Sequence, residues 1–228
     1  MRFSFTFLIV IAASALFPAL NFAQGVHSTR AAAGNEISSA VRMPSLPQTK
    51  PENIPLPVEA AFPSLRGATT WLNSQPLTPE ALRGKVVMVE FWTYTCINWR
   101  RQFPYVRAWA QKYKDQGLVV IGVHAPEFSF EKNIDNVRQA AHEIGVDFPI
   151  AVDNDHTIWS AFNNEYWPAL YFIDAQGKIR HHQFGEGDYE QSELVLQQLL
   201  AEAGIVGISH DLVSSIPRAL KWAPTGRI

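Results

Sequence analysis

Cys96, the one cysteine in this chain of 228 residues, is the side chain with the clearest capacity for chemistry. It lies in the stretch TYTCINW, residues 93–99, between an apolar run over 86–92 and a helix-like pattern. Unpaired N–H groups and the dipole at the start of a helix stabilise a thiolate, the nucleophilic form of cysteine. A free cysteine is often buried and inert instead. The strand-to-helix corner favours the reactive thiol.

Trp99 stands where a redox-active C-x-x-C pair would have its second cysteine. An indole cannot attack a mixed disulfide, so internal resolution is absent. A single thiol also cannot form an internal disulfide, and the chain must fold on its core alone. Trp99 belongs to an apolar helical stripe, which favours packing in the core over stacking on a substrate.

The composition bounds the class of protein. The hydrophobic fraction is 47% and the net charge is −2, without a basic stripe that would indicate nucleic acid. Residues 1–23 carry one arginine and an apolar run ending in small residues, which indicates a signal peptide cut after Ala23 or an uncut membrane anchor. Both alternatives predict an exported protein, periplasmic or secreted, with membrane contact only if the segment is uncleaved.

The rest of the chain divides into three parts. Residues 24–60 are polar and contain clustered prolines, which predicts a flexible linker. Residues 61–204 have globular patterning, and residues 205–228 form an extension without a clear period. Strands alternate with helices until a final hairpin, which predicts an α/β sandwich with a mixed sheet. The predicted strands are 85–92, 118–123, 148–152, 169–173 and 178–184. Apolar stripes predict helices that include 99–113, 134–144 and 196–203, residues 157–162 are a further predicted helix, and Thr78-Pro79-Glu80 indicates the first turn of a short one.

Several of these motifs together carry a family resemblance. They are VEFWTYTC over 89–96, Pro104, VVIGVHAPEF over 119–128, and the stretch from Trp167-Pro168 to residue 190. With them the chain resembles the thioredoxin fold, a three-layer sandwich with helices flanking a mixed central sheet. It looks most like the extracytoplasmic redoxin branch, which comprises thiol–disulfide oxidoreductases of cytochrome c maturation and AhpC/TSA-like proteins.

The resemblance implies roles for three residues beside Cys96. Pro168 matches the cis-proline that lies against the active cysteine, and Trp167 before it would offer backbone hydrogen bonds to a substrate or stack over the thiol. Glu90 matches a buried acid that shuttles protons to the second thiol. A buried carboxyl group must be protonated, paired or hydrated, so a structural acid and a proton shuttle to Cys96 are both open.

Four weaker candidates surround this corner. Tyr94 is a candidate for substrate contact or shielding of the thiol. His124 and Glu127 follow a central strand and either tune Cys96 or face solvent. Arg100 could favour a thiolate, although a solvated helix face explains it better. We expect no metal and no cofactor, since Cys96 with a single histidine is too few ligands for a structural zinc site.

Three functions remain open at this level. The leading one is thiol–disulfide exchange through Cys96, with small-molecule or protein thiols and disulfides as partners and an external thiol resolving the intermediate. The second is a single-cysteine peroxidase acting on peroxide, because Thr93 and Cys96 form the T-x-x-C half of a peroxidase motif whose proline position is Val89 here. The third is a redox-inactive module that binds an extended peptide beside Pro168.

Overall fold

The computed structural model describes residues 54–213. The predicted signal peptide or anchor, most of the predicted linker, and residues 214–228 lie outside this range. The elements follow one another as β1 (Ala60–Ala61), β2 (Thr70–Leu72), β3 (Val86–Trp92), α1 (Ile97–Tyr113), a 3₁₀ turn (Lys114–Gln116), β4 (Leu118–His124), a second 3₁₀ turn (Ser129–Lys132), α2 (Ile134–Ile144), β5 (Ile150–Val152), α3 (Thr157–Ala161), β6 (Ala169–Ile173), β7 (Lys178–Phe184) and α4 (Tyr189–Glu202).

Seven strands form one mixed sheet in the order β1-β7-β6-β3-β4-β5-β2. β4 pairs in parallel with β3 on one side and β5 on the other, whereas β6 pairs antiparallel with both β3 and β7. The predicted α/β class with a mixed sheet and flanking helices is confirmed. The final hairpin is also confirmed, with the turn over 174–177 joining β6 to β7.

Strand β3 forms the centre of the core because all seven of its residues are buried. Alternate side chains of a strand point to opposite faces. Met88 and Trp92 accordingly lie in a cluster with buried residues of α1, α2 and α4. Val89 and Phe91 lie in a second cluster with α3 and the segment before β3. The alternation places Glu90 on the same face as Met88 and Trp92, toward α1.

Helix α1 follows β3 after a four-residue corner and carries the predicted apolar stripe. Trp99, Phe103, Val106 and Tyr113 are all buried. Pro104 lies inside the helix, where it lacks an N–H donor. The helix gives way to a 3₁₀ turn before Gly117, which ends the segment in a left-handed conformation with φ 87°.

Two expectations for the loops and strand ends need correction, and two short strands were not predicted. The predicted short helix at Thr78-Pro79-Glu80 is a set of turns, in which the Thr78 hydroxyl accepts from the Ala81 N–H at 3.2 Å. The predicted strand 148–152 begins only at Ile150. The edge strands β1 and β2 have two and three residues, too short to produce a readable alternation in the sequence.

The folded part of the chain extends beyond the boundaries predicted at residues 60 and 205. Leu56 is buried in the core, and the Ile54 N–H donates to the Gln198 side chain at 2.9 Å, so the chain packs on the domain from residue 54. At the other end, the Val213 N–H donates to Glu193 at 2.6 Å. Hydrogen bonds to side chains of α4 therefore attach residues 54 and 213 to the domain. Such long-range contacts cannot be predicted from hydrophobic periodicity.

Candidate functional site

Cys96 is the N-cap residue of α1, and its side chain is half-buried. Its N–H donates to the Thr93 carbonyl oxygen at 3.2 Å, which closes the corner between β3 and the helix. The Sγ atom lies 3.9 Å from the carbonyl oxygen of Trp167. No acidic side chain lies in the first turn of α1. The thiol is therefore partly accessible to solvent and lies at the start of a helix, where N–H groups lack partners within the helix.

The carbonyl group of Trp167 lies against this thiol, and Pro168 is the next residue in the chain. The peptide bond between them is cis. The Trp167 indole N–H donates to the Ala125 carbonyl at 2.9 Å, and its ring packs on Trp159 with centroids 4.2 Å apart. The ring is thus held toward Ala125 and Trp159, and the carbonyl group is the part of Trp167 that contacts Cys96. The ring therefore does not stack over the thiol, and the backbone role of Trp167 toward a substrate stays a prediction.

Trp99 lies in the core, as its place in the helical stripe predicts. Its side chain is fully buried and stacks on Trp92 with ring centroids 4.4 Å apart. Its indole N–H donates to the Glu90 carboxyl group at 3.3 Å. The residue at the position of a second thiol is therefore a packed donor to the buried acid, out of reach of a substrate.

Glu90 is fully buried in the middle of β3. Only one of its carboxyl oxygens receives a hydrogen bond, and the other has no partner in the described part of the chain. Burial raises the pKa of Glu90 to about 8, and the Trp99 hydrogen bond offsets this only in part. At neutral pH the group is thus a protonated acid, which is one of the three states expected from the sequence.

His124, the last residue of β4, is fully buried rather than solvent-facing. Its ring stacks on Tyr94 and meets the edge of Trp92, with centroids 5.7 and 5.0 Å away. Burial lowers the pKa of His124 to about 4, although the charge of Glu131 and a backbone hydrogen bond act in the opposite direction. The imidazole is therefore neutral at pH 7, and its Nε2 lies 3.5 Å from the Thr93 hydroxyl.

The remaining predicted residues lie at the rim of the corner. The Tyr94 hydroxyl donates to the Phe130 carbonyl at 3.4 Å, and the Tyr94 carbonyl accepts from the Arg100 side chain at 3.0 Å. Arg100 is exposed, as a solvated helix face predicts. The Glu127 side chain is also exposed, and its contribution to the site is its backbone N–H. Neither charged side chain is seen to contact the thiol.

One residue of the site was missed in the sequence. Glu131, in the second 3₁₀ turn, is fully buried and accepts from the Thr95 hydroxyl at 2.5 Å. Its other oxygen accepts from the N–H groups of Glu127 and Phe128 at 2.7 and 2.9 Å. A glutamate three residues into a turn is half of a capping box, a signal that would have found it. The phenylalanine at the cap position, where a hydroxyl or carboxamide is typical, conceals that signal.

Two further properties of residues 54–213 bear on the chemistry. Within this range, no three His, Cys, Asp or Glu side chains are grouped in a way that could hold a metal ion. The helices of the same range are all too short or too polar to cross a bilayer. The site therefore consists of a thiol, a protonated acid, a neutral imidazole and hydrogen-bonding backbone groups.

The sheet order and this corner together define a class: a thioredoxin-like protein of the redoxin type. The particular family follows from comparison with known proteins. The model of the AhpC/TSA family matches residues 58–182, more than half of the chain, and the chain belongs to that family.

Relatives agree with this assignment. The thiol-disulfide oxidoreductase YkuV of Bacillus subtilis is 34% identical over 141 residues, which cover 62% of this chain and 95% of YkuV. Protein DipZ of Mycobacterium tuberculosis is 51% identical over 144 residues, but the chain spans only 21% of DipZ. A thioredoxin-like protein solved in its oxidised form has 35% identity and a TM-score of 0.58, covering 63% of this chain and 96% of that one.

Proposed function

We propose that the protein is an exported thiol–disulfide oxidoreductase that works through Cys96 alone. The observation that carries the proposal is a half-exposed thiol at the start of α1, facing the Trp167 carbonyl, while the second position of the pair is a buried tryptophan. The similarity to the oxidoreductase YkuV supports the same chemistry. The proposal of export rests on the apolar segment over residues 1–23.

The reaction has two exchange steps. The Cys96 thiolate attacks one sulfur of a disulfide, so that a bond forms between Sγ and that sulfur while the original S–S bond breaks and the other half leaves as a thiolate. An external thiol then attacks the substrate sulfur of the mixed disulfide and returns Cys96 as a thiolate. The carbonyl of Trp167 is available to accept a backbone hydrogen bond from a substrate peptide beside the thiol.

Disulfide exchange is favoured over peroxide reduction by the position of Thr93. Its side chain is fully buried and its hydroxyl lies 3.5 Å from the His124 ring. This buried hydroxyl also donates to Glu131, so it offers little to a peroxide at the half-exposed Cys96 sulfur. The neighbouring motif position, Val89, is a buried strand residue in place of proline.

The test is to incubate the protein with oxidised glutathione at neutral pH and to measure its intact mass. We expect one glutathione adduct, absent from the Cys96→Ser variant, that remains until an external thiol is added. Absence of an adduct on the wild-type protein would reject the proposal. Retention of peptide binding by Cys96→Ser without any adduct on the wild type would indicate the redox-inactive binding module instead.

Export is tested separately. Sequencing the N-terminus of the protein recovered from outside the cytoplasm should show a start at residue 24, since small residues precede the expected cut. A start at Met1 in a membrane fraction would indicate the uncut anchor, and recovery from the cytoplasm alone would contradict export.

A further inference from the structure

We infer that Glu131 is a positioning residue for Cys96, which holds the corner over residues 93–96 in place from the loop that follows β4. The inference rests on the disulfide exchange proposed above, since it concerns the presentation of the same thiol. Glu131 itself touches neither the sulfur nor a substrate in this geometry, so its role is exerted through Thr95, the residue directly before Cys96.

The hydrogen bonds of Glu131 divide between two segments of the chain. One oxygen receives the Thr95 hydroxyl at 2.5 Å, across 36 residues of sequence. The other oxygen receives the backbone N–H groups of Glu127 and Phe128. The carboxylate therefore ties the corner after β3 to the loop after β4, and these two parallel strands end side by side.

The other contacts of the corner are local, more exposed or longer. The buried Thr93 hydroxyl lies 3.5 Å from the His124 ring, and the Cys96 Sγ atom lies 3.9 Å from the Trp167 carbonyl oxygen. The Cys96 N–H bonds to Thr93 only three residues away. Arg100 reaches the Tyr94 carbonyl from an exposed helix face, and the Tyr94 hydroxyl bonds to Phe130 at 3.4 Å. Glu131 combines a fully buried side chain with a short charge-assisted bond, the kind of contact that fixes geometry most firmly.

The charge of Glu131 agrees with this arrangement. Burial acts to raise the pKa of the carboxyl group, but hydrogen bonds from the Thr93 and Thr95 hydroxyls and from the Phe128 and Glu127 N–H groups outweigh it, and the pKa is lowered. An ionised carboxylate accepts from all of these donors at once. Loss of the side chain would leave two backbone N–H groups and the Thr95 hydroxyl without this acceptor, and would free the residue that precedes the nucleophile.

The test compares the second-order rate constants for reaction of Cys96 with dithiodipyridine in the full chain. For Glu131→Ala we expect a rate about tenfold lower, since small displacements of a reacting group are costly. For Glu131→Gln we expect a rate within about twofold of wild type, because the amide oxygen still accepts from the backbone while the threonine hydroxyls rotate to accept from the amide nitrogen.

Glu193→Ala is the matched control. Glu193 is also a buried carboxylate with several donors, namely Lys112, Tyr113 and the Val213 N–H. Its neighbours Lys112 and Tyr113 lie at the end of α1 opposite to Cys96. We expect Glu193→Ala to be less stable than wild type, while Cys96 reacts at a rate within about twofold of wild type. The comparison thus separates a general loss of stability from a loss of positioning.

The outcomes distinguish this inference from the proposed function. No reaction of the wild-type protein would overturn the exchange chemistry itself. Reaction of wild type and Glu131→Ala at equal rates, or an equal rate loss in Glu193→Ala, would overturn the positioning role alone. If Glu131→Ala does not fold, Thr95→Val is the second variant, because it removes the hydroxyl at an exposed position and should slow the reaction of Cys96. Thr95→Ser keeps the hydroxyl and should react at the wild-type rate. Equal rates in these two variants would also overturn the inference.

Discussion

Glu90 and Glu131 are both fully buried carboxyl groups, yet at neutral pH Glu90 is protonated and Glu131 is ionised. Glu90 has one donor, the Trp99 indole at 3.3 Å, and burial raises its pKa to about 8. Glu131 faces several donors, and its pKa is lowered. Both side chains are closed to solvent, but Glu131 lies less deep in the protein and has more donors, and both differences favour its ionised form.

The local backbone explains why the donors are distributed in this way. Glu90 lies in the middle of β3, which pairs with β4 on one side and β6 on the other, so the sheet already uses the nearby backbone N–H groups. Glu131 lies in a short 3₁₀ turn, and the N–H groups of Glu127 and Phe128, directly before this turn, donate to its carboxylate. A carboxylate is thus stabilised at a turn, and only a protonated acid is tolerated in the strand.

The largest expected effect is that of Glu131→Ala on stability. It should lower the free energy of unfolding at pH 7 by about 2 kcal/mol, because it leaves two part-buried N–H groups and the Thr95 hydroxyl without this acceptor. Glu131→Gln should lose less, since it retains the acceptor for both N–H groups. Urea unfolding of the two variants provides the measurement. A loss below about 1 kcal/mol in Glu131→Ala would show that water replaces the carboxylate.

The second prediction concerns the pH dependence that Glu90 produces. Its pKa is about 8 in the folded protein, against an ordinary value of 4.5, so between these values the folded state keeps a proton that the unfolded state has lost. Stability therefore falls as pH rises through this window, by about 1.4 kcal/mol per pH unit. Glu90→Gln should lack this fall, as measured by urea unfolding from pH 6.5 to 8.

The pH range for the urea measurement begins at 6.5 because of His124. Its pKa is about 4 in the folded protein, against an ordinary 6.5, so in this window the unfolded state binds a proton that the folded state does not. Stability consequently rises with pH there and offsets the fall due to Glu90. Glu131→Gln is the control, because its lowered pKa produces no slope above pH 6.5. An equal slope in Glu90→Gln and wild type would contradict the assignment.

Much of the fold could be predicted from the sequence because its long helices and strands have clear hydrophobic patterns. The stripe of α1 and the apolar runs of β3 and β4 predicted both the elements and the corner that presents Cys96. The edge strands β1 and β2 were missed, since two or three residues carry no period. The attachment of residues 54–60 was missed because it depends on single long-range contacts, such as Ile54 with Gln198.

The site could be predicted only in part, because some of its residues belong to recognisable motifs and others do not. Cys96, Trp167 and Pro168 belong to motifs with defined positions, and the structure brings them together. Glu131 lies 35 residues from Cys96 in the sequence and acts through a loop whose conformation the sequence pattern does not specify. The burial of His124 was also unforeseen, because a residue at a strand end can be covered by a neighbouring loop such as the one that carries Tyr94.

The smallest expected effect is that of the indole N–H on Glu90. Trp99→Phe keeps an aromatic ring in the core but removes the donor, which should cost about 1 kcal/mol at pH 7. Because the hydrogen bond lowers the pKa of Glu90, its loss should raise that pKa and extend the fall in stability beyond pH 8. Urea unfolding of the variant from pH 7 to 9 provides the measurement.

Trp109→Phe is the matched control for this substitution. Trp109 is equally buried on the same helix and belongs to the same core cluster, but its indole N–H has no partner among the described residues. Trp109→Phe should lower the stability through weaker packing, without any change in the pH range over which stability falls. If both variants shift that range equally, the shift reflects loosened packing around Glu90, and the single donor at 3.3 Å does not tune the acid.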